Sequence, residues 1–153
     1  MPPDAQQVAE AVAAAMMTAD RASTDSGIRL VGVRPGAATV GLTVVEGHAN
    51  GHGVCHGGVL FTLADTAFAI ACNSHGPRAV AATADIVFAR PALVGDELVA
   101  AARERIRFGR SGVYDVSVTR GGEVVAEFRG QSRVVAAEQP GSDGVRVAEG
   151  LDG

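Results

Sequence analysis

From Val59 to Cys72 the chain carries neither Gly nor Pro and is almost wholly apolar, broken only by Thr62, Asp65 and Thr66. Such a run reads as a helix, and a helix that is apolar on every side is one buried on every side. Asn73 to Pro77 supplies its stop signal, so a central helix is expected over about residues 57–75. Something must wrap it, and the rest of the sequence says what. Residues 38–45 alternate Val40, Leu42 and Val44 with Thr39, Gly41 and Thr43, the period of a half-buried strand, after a turn at Pro35-Gly36. Four strand-like runs follow the helix, at about residues 79–89, 97–108, 112–120 and 123–135. Pro91, Gly95-Asp96, Gly109 to Gly112 and Gly121-Gly122 divide them. In the last run Val124, Ala126, Phe128, Ser132 and Val134 share one face, while Glu127, Arg129, Gln131 and Arg133 share the other. One buried helix with consecutive antiparallel strands gives an α+β domain whose sheet wraps the helix. Such a sheet leaves a long edge open, which favours pairing with a second copy.

Ahead of this unit, residues 5–19 carry Val8, Val12 and Met16 four apart among good helix formers, a short amphipathic helix. The expected division is therefore an N-terminal helix and linker over 1–25, the main domain over 26–136, and a tail over 137–153 that frays. A length of 153 residues suits one domain. The net charge of −4, a single Tyr and no Trp argue against a nucleic-acid partner. Cys55 and Cys72 do not make a disulfide framework. No stretch is long and apolar enough for a membrane span. Asp4 and Glu10, with no early Lys or Arg, do not read as a secretory signal, so the cytoplasm is the expected compartment.

The chemistry gathers around the helix. Asp65 interrupts its most apolar stretch, where an isolated carboxylate is costly. Either it is satisfied by neighbouring backbone or by Thr62 or Thr66, or it is a catalytic carboxylate. His56-Gly57-Gly58 stands where loop becomes helix. The first N–H groups there have no intrahelical partner, and glycines let a ligand approach them closely, as in an oxyanion hole. Gly57 and Asp65 are eight residues apart, which at helical rise is about 12 Å. A base or nucleophile must lie within about 3 Å of its target. If both groups are catalytic, Asp65 must come from a second subunit.

Two other patterns compete. His48, His52 and His56 recur every four residues beside Cys55, but Gly47, Gly51, Gly53 and Gly57 oppose the helix that would stack them as metal ligands, so no metal is expected. No Gly-x-Ser-x-Gly supports a serine hydrolase. Arg103, Arg105 and Arg107 alternate along one strand and should share a face, either solvated or suited to a nucleotide phosphate, with Arg110 in the next turn and Arg90 as a second candidate.

The run from Asn50 through His56-Gly57-Gly58 and Asp65 to Ser74, with Phe88-Ala-Arg-Pro91, Gly95-Asp96 and Gly109-Arg-Ser-Gly-Val-Tyr-Asp115, resembles the phenylacetic acid degradation thioesterases. The likeness covers about residues 35–135. It implies a hot-dog fold, an antiparallel sheet around a long central helix, dimerising through the sheet and commonly pairing again into a homotetramer. It implies hydrolysis of phenylacetyl-CoA or a ring-hydroxylated relative. In the family, the aspartate matching Asp65 is nucleophile or general base and acts across the dimer interface. The glycine matching Gly57 polarises the thioester carbonyl, and the asparagine matching Asn50 helps position the thioester or the water. His56 joins these as a catalytic candidate. Gly58, Thr66, Phe88, Arg90, Pro91, Gly109, Arg110 and Ser111 are candidate contacts for substrate or coenzyme A, which enters only as part of the substrate; no separate cofactor is expected. Two other readings stand beside it: a hot-dog acyl-thioester dehydratase or hydratase, for which His56 would be essential, and a non-catalytic acyl-CoA sensor, which would not need Asp65.

Overall fold

The structure, a computed structural model, describes residues 1–136; the tail expected to fray lies outside the described residues. Helix α1 (Ala5–Ala19) starts at Asp4, whose carboxylate accepts from the Gln7 N–H at 2.8 Å while the Gln7 side chain accepts from the Asp4 N–H at 3.0 Å. This reciprocal pair satisfies two donors that the first turn would otherwise leave open. Ala9, Val12 and Ala13 are buried, with Met16 and Met17 against the main core. The buried stripe thus runs through alanines, which let α1 lie close to the sheet. A second short helix, α2 (Arg21–Asp25), occupies the segment expected to be a linker.

Six strands form one antiparallel sheet in the order β1-β2-β4-β5-β6-β3, comprising β1 (Arg29–Arg34), β2 (Ala37–Thr43), β3 (Arg78–Phe88), β4 (Glu97–Phe108), β5 (Ser111–Arg120) and β6 (Glu123–Ala136). The long helix α3 (Gly57–Asn73) crosses its inner face. Gly121 and Gly122 both have positive φ, 55° and 83°, which the tight β5–β6 turn requires. On β6, Ala126, Phe128, Gly130 and Ser132 face inward and Glu127, Arg129 and Arg133 outward, as the alternation predicts, but a bulge opposite Val118 and Thr119 puts Val125 in the core in place of the expected Val124. Phe68 of α3 packs against Tyr114 and Phe128 with ring centroids 5.6 and 5.7 Å apart. A side chain at Gly130 would stand 2.8 Å from the Phe68 ring, so this glycine is what lets the helix seat.

Three further expectations need correction. β1 is a strand that the sequence pattern does not announce, because Arg29, Gly32 and Arg34 blur its alternation. α3 is not buried on every side: Gly58 is exposed, and Thr62, Asp65, Ala69 and Asn73 are only partly covered. These positions fall three and four apart, so they form one open stripe that this chain's own sheet does not reach. Finally, Arg103, Arg105 and Arg107 do not share a face. A β-bulge between Glu104 and Ile106 shifts the register, leaving Arg105 on the outer face with Asp115 and turning Arg107 to Glu104 on the helix side.

β3 is an edge of the sheet. Among the described residues it pairs only with β6, which leaves its outward row of backbone groups open. Val80, Val87 and Phe88 are 40%, 62% and 53% exposed.

Candidate active site

The loop that delivers the chain to α3 is held by its own polar groups. His48 sits in a single 3-10 turn, Glu46–His48, and is buried. Its Nδ1 accepts from the Val45 N–H and its Nε2 donates to the Ser26 carbonyl. Asn50 closes the next turn: its Oδ1 accepts from the N–H groups of His52 and Val54, at 2.9 and 3.3 Å. With the oxygen so committed, the Asn50 amide nitrogen is left with no acceptor among the described residues. His52 is exposed. The three histidines therefore go to different tasks and do not converge.

His56 is the N-cap of α3, its Nδ1 accepting from the Gly58 N–H at 2.8 Å. It is not paired with Cys55, whose thiol lies against the His56 carbonyl and is pushed up in pKa by burial. The Gly57 N–H has no acceptor among the described residues. A Cβ on Gly57 would stand 3.0 Å from Cζ of Phe88, and one on Gly58 would stand 3.0 Å from Nδ1 of His56. Each glycine thus keeps a neighbour close: Phe88 roofs the turn, and the cap stays bonded. An unengaged N–H at a helix start, with partial positive charge behind it, can hold a developing oxyanion.

Asp65 lies two turns along, on the open stripe. Neither threonine satisfies it: Thr62 donates to the Gly58 carbonyl and Thr66 to the Thr62 carbonyl. Its carboxylate has no hydrogen-bond or ion-pair partner among the described residues. Burial, and then the negative charge of Asp20, push its pKa above the usual carboxylate range. A carboxylate left without a partner among the described residues and raised in this way is a stronger proton acceptor than an ordinary one. Nothing local in the sequence marks Asp20, which acts on a distant stretch of the chain.

The remaining candidates separate into two groups. Phe88, Arg90 and Pro91 stand near the start of α3, with Arg90 bonded to the Val124 carbonyl at 2.7 Å and near Glu123. Gly109, Arg110 and Ser111 line a cleft of about 220 Å³ with Cys72, His75 and Arg107, at the helix's other end. Those ends are roughly 25 Å apart by helical rise, so one chain does not bring the groups together. Thr66 is buried, its hydroxyl 2.8 Å from that of Ser23.

A family model described as the thioesterase superfamily matches residues 52–127. The acyl-coenzyme A thioesterase PaaI of Escherichia coli is 46% identical over 119 residues, 77% of this chain and 85% of that protein. The structure of the E. coli PaaI protein superposes with a TM-score of 0.85 at 42% identity, covering 87% of this chain and 97% of the other. A mutant of the phenylacetic acid degradation protein PaaI of Thermus thermophilus gives 0.74 at 36% identity, covering 76% and 100%. The Streptococcus mutans protein smu.793, solved bound to acetyl CoA, gives 0.69 at 28% identity, covering 71% and 89%. The helix wrapped by its antiparallel sheet is the hot-dog fold, and the chain belongs to the PaaI family of acyl-coenzyme A thioesterases.

Proposed function

We propose that this acyl-CoA thioesterase hydrolyses an aryl-acetyl-CoA, phenylacetyl-CoA or a ring-hydroxylated relative, at two sites shared across a homodimer. The observation that carries the site is the pairing, on the same helix, of a Gly57 N–H and an Asp65 carboxylate that have no partner among the described residues. They lie about 12 Å apart along it, too far to act on one carbonyl from one chain. The open edge of β3 supports the dimer, since an exposed apolar edge favours pairing with another strand. Such dimers pair again into a homotetramer in this reading.

The Gly57 N–H binds the thioester oxygen, and the Asn50 amide, its oxygen already held by the loop, donates to the thioester or the water. As general base, Asp65 of the other subunit takes a proton from water; the oxygen adds to the carbonyl carbon, the C–S bond breaks, and the thiolate leaves with that proton. As nucleophile, Asp65 would instead attack the carbonyl carbon, expel the coenzyme A thiolate as the C–S bond breaks, and form a mixed anhydride that water then opens to the free acid and the Asp65 carboxylate. Single turnover in ¹⁸O-water separates the two, because only the anhydride route can carry label into the enzyme carboxylate. Among the arginines, the Arg110 side chain has no partner among the described residues and suits a coenzyme A phosphate better than Arg90, which the start of β6 holds. The aryl-acetyl assignment is supported by the relatives named for phenylacetic acid degradation. The cytoplasm, where acyl-CoA esters are made and used, is the proposed compartment; among the described residues no helix is long and apolar enough to cross a membrane.

The test is thiol release over a panel of aliphatic and aromatic CoA esters. The expected result is the highest kcat/KM with the aryl-acetyl esters. A preference for straight-chain esters would overturn the acyl assignment, and silence with every ester would overturn the reaction.

A further inference from the structure

Asp65 is not the only carboxylate serving its turn of the helix. Asp20 lies between α1 and α2, where its Oδ1 accepts from the Ser23 N–H at 2.9 Å and its Oδ2 from the Ser23 hydroxyl at 2.5 Å. The second contact has the length of a charge-assisted bond. Ser23 Oγ in turn lies 2.8 Å from Oγ1 of Thr66, the residue after Asp65. Since Ser23 gives its proton to Asp20, Thr66 is the donor across that contact, sharing its hydrogen with the Thr62 carbonyl. Ser23 and Thr66 are 2% and 6% exposed. Capping a helix as short as α2 does not require a buried serine hydroxyl that goes on to bond the central helix.

We propose that Asp20 is a positioning residue for Asp65: the Asp20–Ser23–Thr66 chain fixes the turn of α3 that carries Asp65 and holds a second negative charge near it. This rests on the reading of Asp65 as the carboxylate that activates water or attacks the thioester. The two N-terminal helices then belong to the site. Their charge works in the direction a base needs, because Asp20 adds to burial in holding the Asp65 carboxyl above its ordinary range. Other titratable groups around α3 are engaged elsewhere. Glu104 of β4 is bound by His75, by Arg107 and by Tyr114 of β5. His48 is bonded to Ser26 and Val45, and His56 caps the helix. On α3 itself, the Cys72 thiol is pushed up to about 12 by burial and then by Asp65.

The experiment compares the pH dependence of kcat/KM, by thiol release, in the full-length wild type, Asp20→Asn and Ser23→Ala. Asparagine caps a helix as well as aspartate does, so Asp20→Asn keeps the turn through its Oδ1 while removing the charge and the acceptor of the Ser23 hydroxyl proton. Activity of the wild type falls on the acid side as Asp65 takes up a proton. In Asp20→Asn that acid limb moves to lower pH. Ser23→Ala keeps the charge and breaks the chain, and its kcat falls on the order of tenfold at unchanged KM through loss of placement. An Asp20→Asn limb that overlays the wild type, with wild-type kcat in folded Ser23→Ala, overturns the proposal. Should Asp20→Asn fail to fold, the kcat of Ser23→Ala decides. Asp65→Ala, run alongside, separates the layers: wild-type turnover in it sinks the role of Asp65 itself. An inactive Asp65→Ala with both other variants unaltered sinks only the positioning role.

Discussion

The two ends of α3 are built to opposite specifications. At the C-terminal end, Asn73 commits its whole side-chain amide to the chain, donating to the carbonyls of Ala69 and Ala79 and accepting from the Ala79 N–H. Ser74 donates to the Ala71 carbonyl and accepts from the Gly36 N–H. Beside them one oxygen of Glu104 meets His75, Tyr114 and Arg107 at 2.9, 2.9 and 3.0 Å. At the N-terminal end the loop is equally bonded, yet the Gly57 N–H and the Asn50 amide nitrogen keep no acceptor among the described residues. Helix ends need partners. The C-terminal end finds them inside the fold, whereas the N-terminal end leaves two donors without an acceptor among the described residues, as the proposed ligand site requires. On the proposed reading, stability is concentrated at one end and chemistry at the other.

That contrast can be broken, and the largest effect belongs to Asp65. Asp65→Asn should cost on the order of 10³-fold in turnover, while Tm at neutral pH rises. The sign follows from linkage. Burial raises the carboxyl's pKa in the folded state, so the fold holds the proton more tightly than the unfolded chain does. Stability therefore declines as pH climbs from the unfolded value to the folded one, and stays lower above it. Removing the charge relieves that cost, and the advantage vanishes in acid below both values. A lower Tm for the variant at neutral pH would contradict the account. Next comes Gly57→Ala, whose Cβ would sit 3.0 Å from Phe88; displacing the turn or the roof should lower kcat about 10²-fold with little change in the melt. Asn73→Ala inverts the pattern, costing about 1–3 kcal/mol of stability by orphaning buried backbone groups. Its kcat/KM in folded protein should stay near wild type. If Asn73→Ala impaired turnover as strongly as Gly57→Ala, the division between the ends would fail.

Much of this is legible in the sequence because it is encoded locally. The Gly- and Pro-free run marks α3, and the glycine turns mark the strands from β3 to β6 to within about a residue or two. His56-Gly57-Gly58 also declares itself, since a cap and two small residues are a local signature. What stays hidden depends on distant partners. The bulge at Glu104–Ile106 carries no residue signal, so three alternating arginines read as one face when Arg107 turns the other way. The open stripe of α3 does leave a trace, since its small and polar residues Gly58, Thr62, Asp65, Ala69 and Asn73 fall three and four apart, but apolar composition masks it and does not say how far a sheet extends around a helix. The Asp20–Ser23–Thr66 chain joins residues far apart in sequence, and each alone reads as an ordinary turn or helix residue.

The central claim is that each site takes Gly57 from one chain and Asp65 from another. Mixing chains tests it directly. One carries Asp65→Asn and the other Gly57→Val, each inactive as a homodimer, and differently tagged heterodimers are purified and assayed by thiol release. A shared site leaves one of the heterodimer's two centres with both groups intact, so about half of the wild-type kcat should return, within the usual departure from additivity. If both groups act within one chain, every centre in the heterodimer carries a lesion. Activity no higher than that of the two inactive parents would contradict the account.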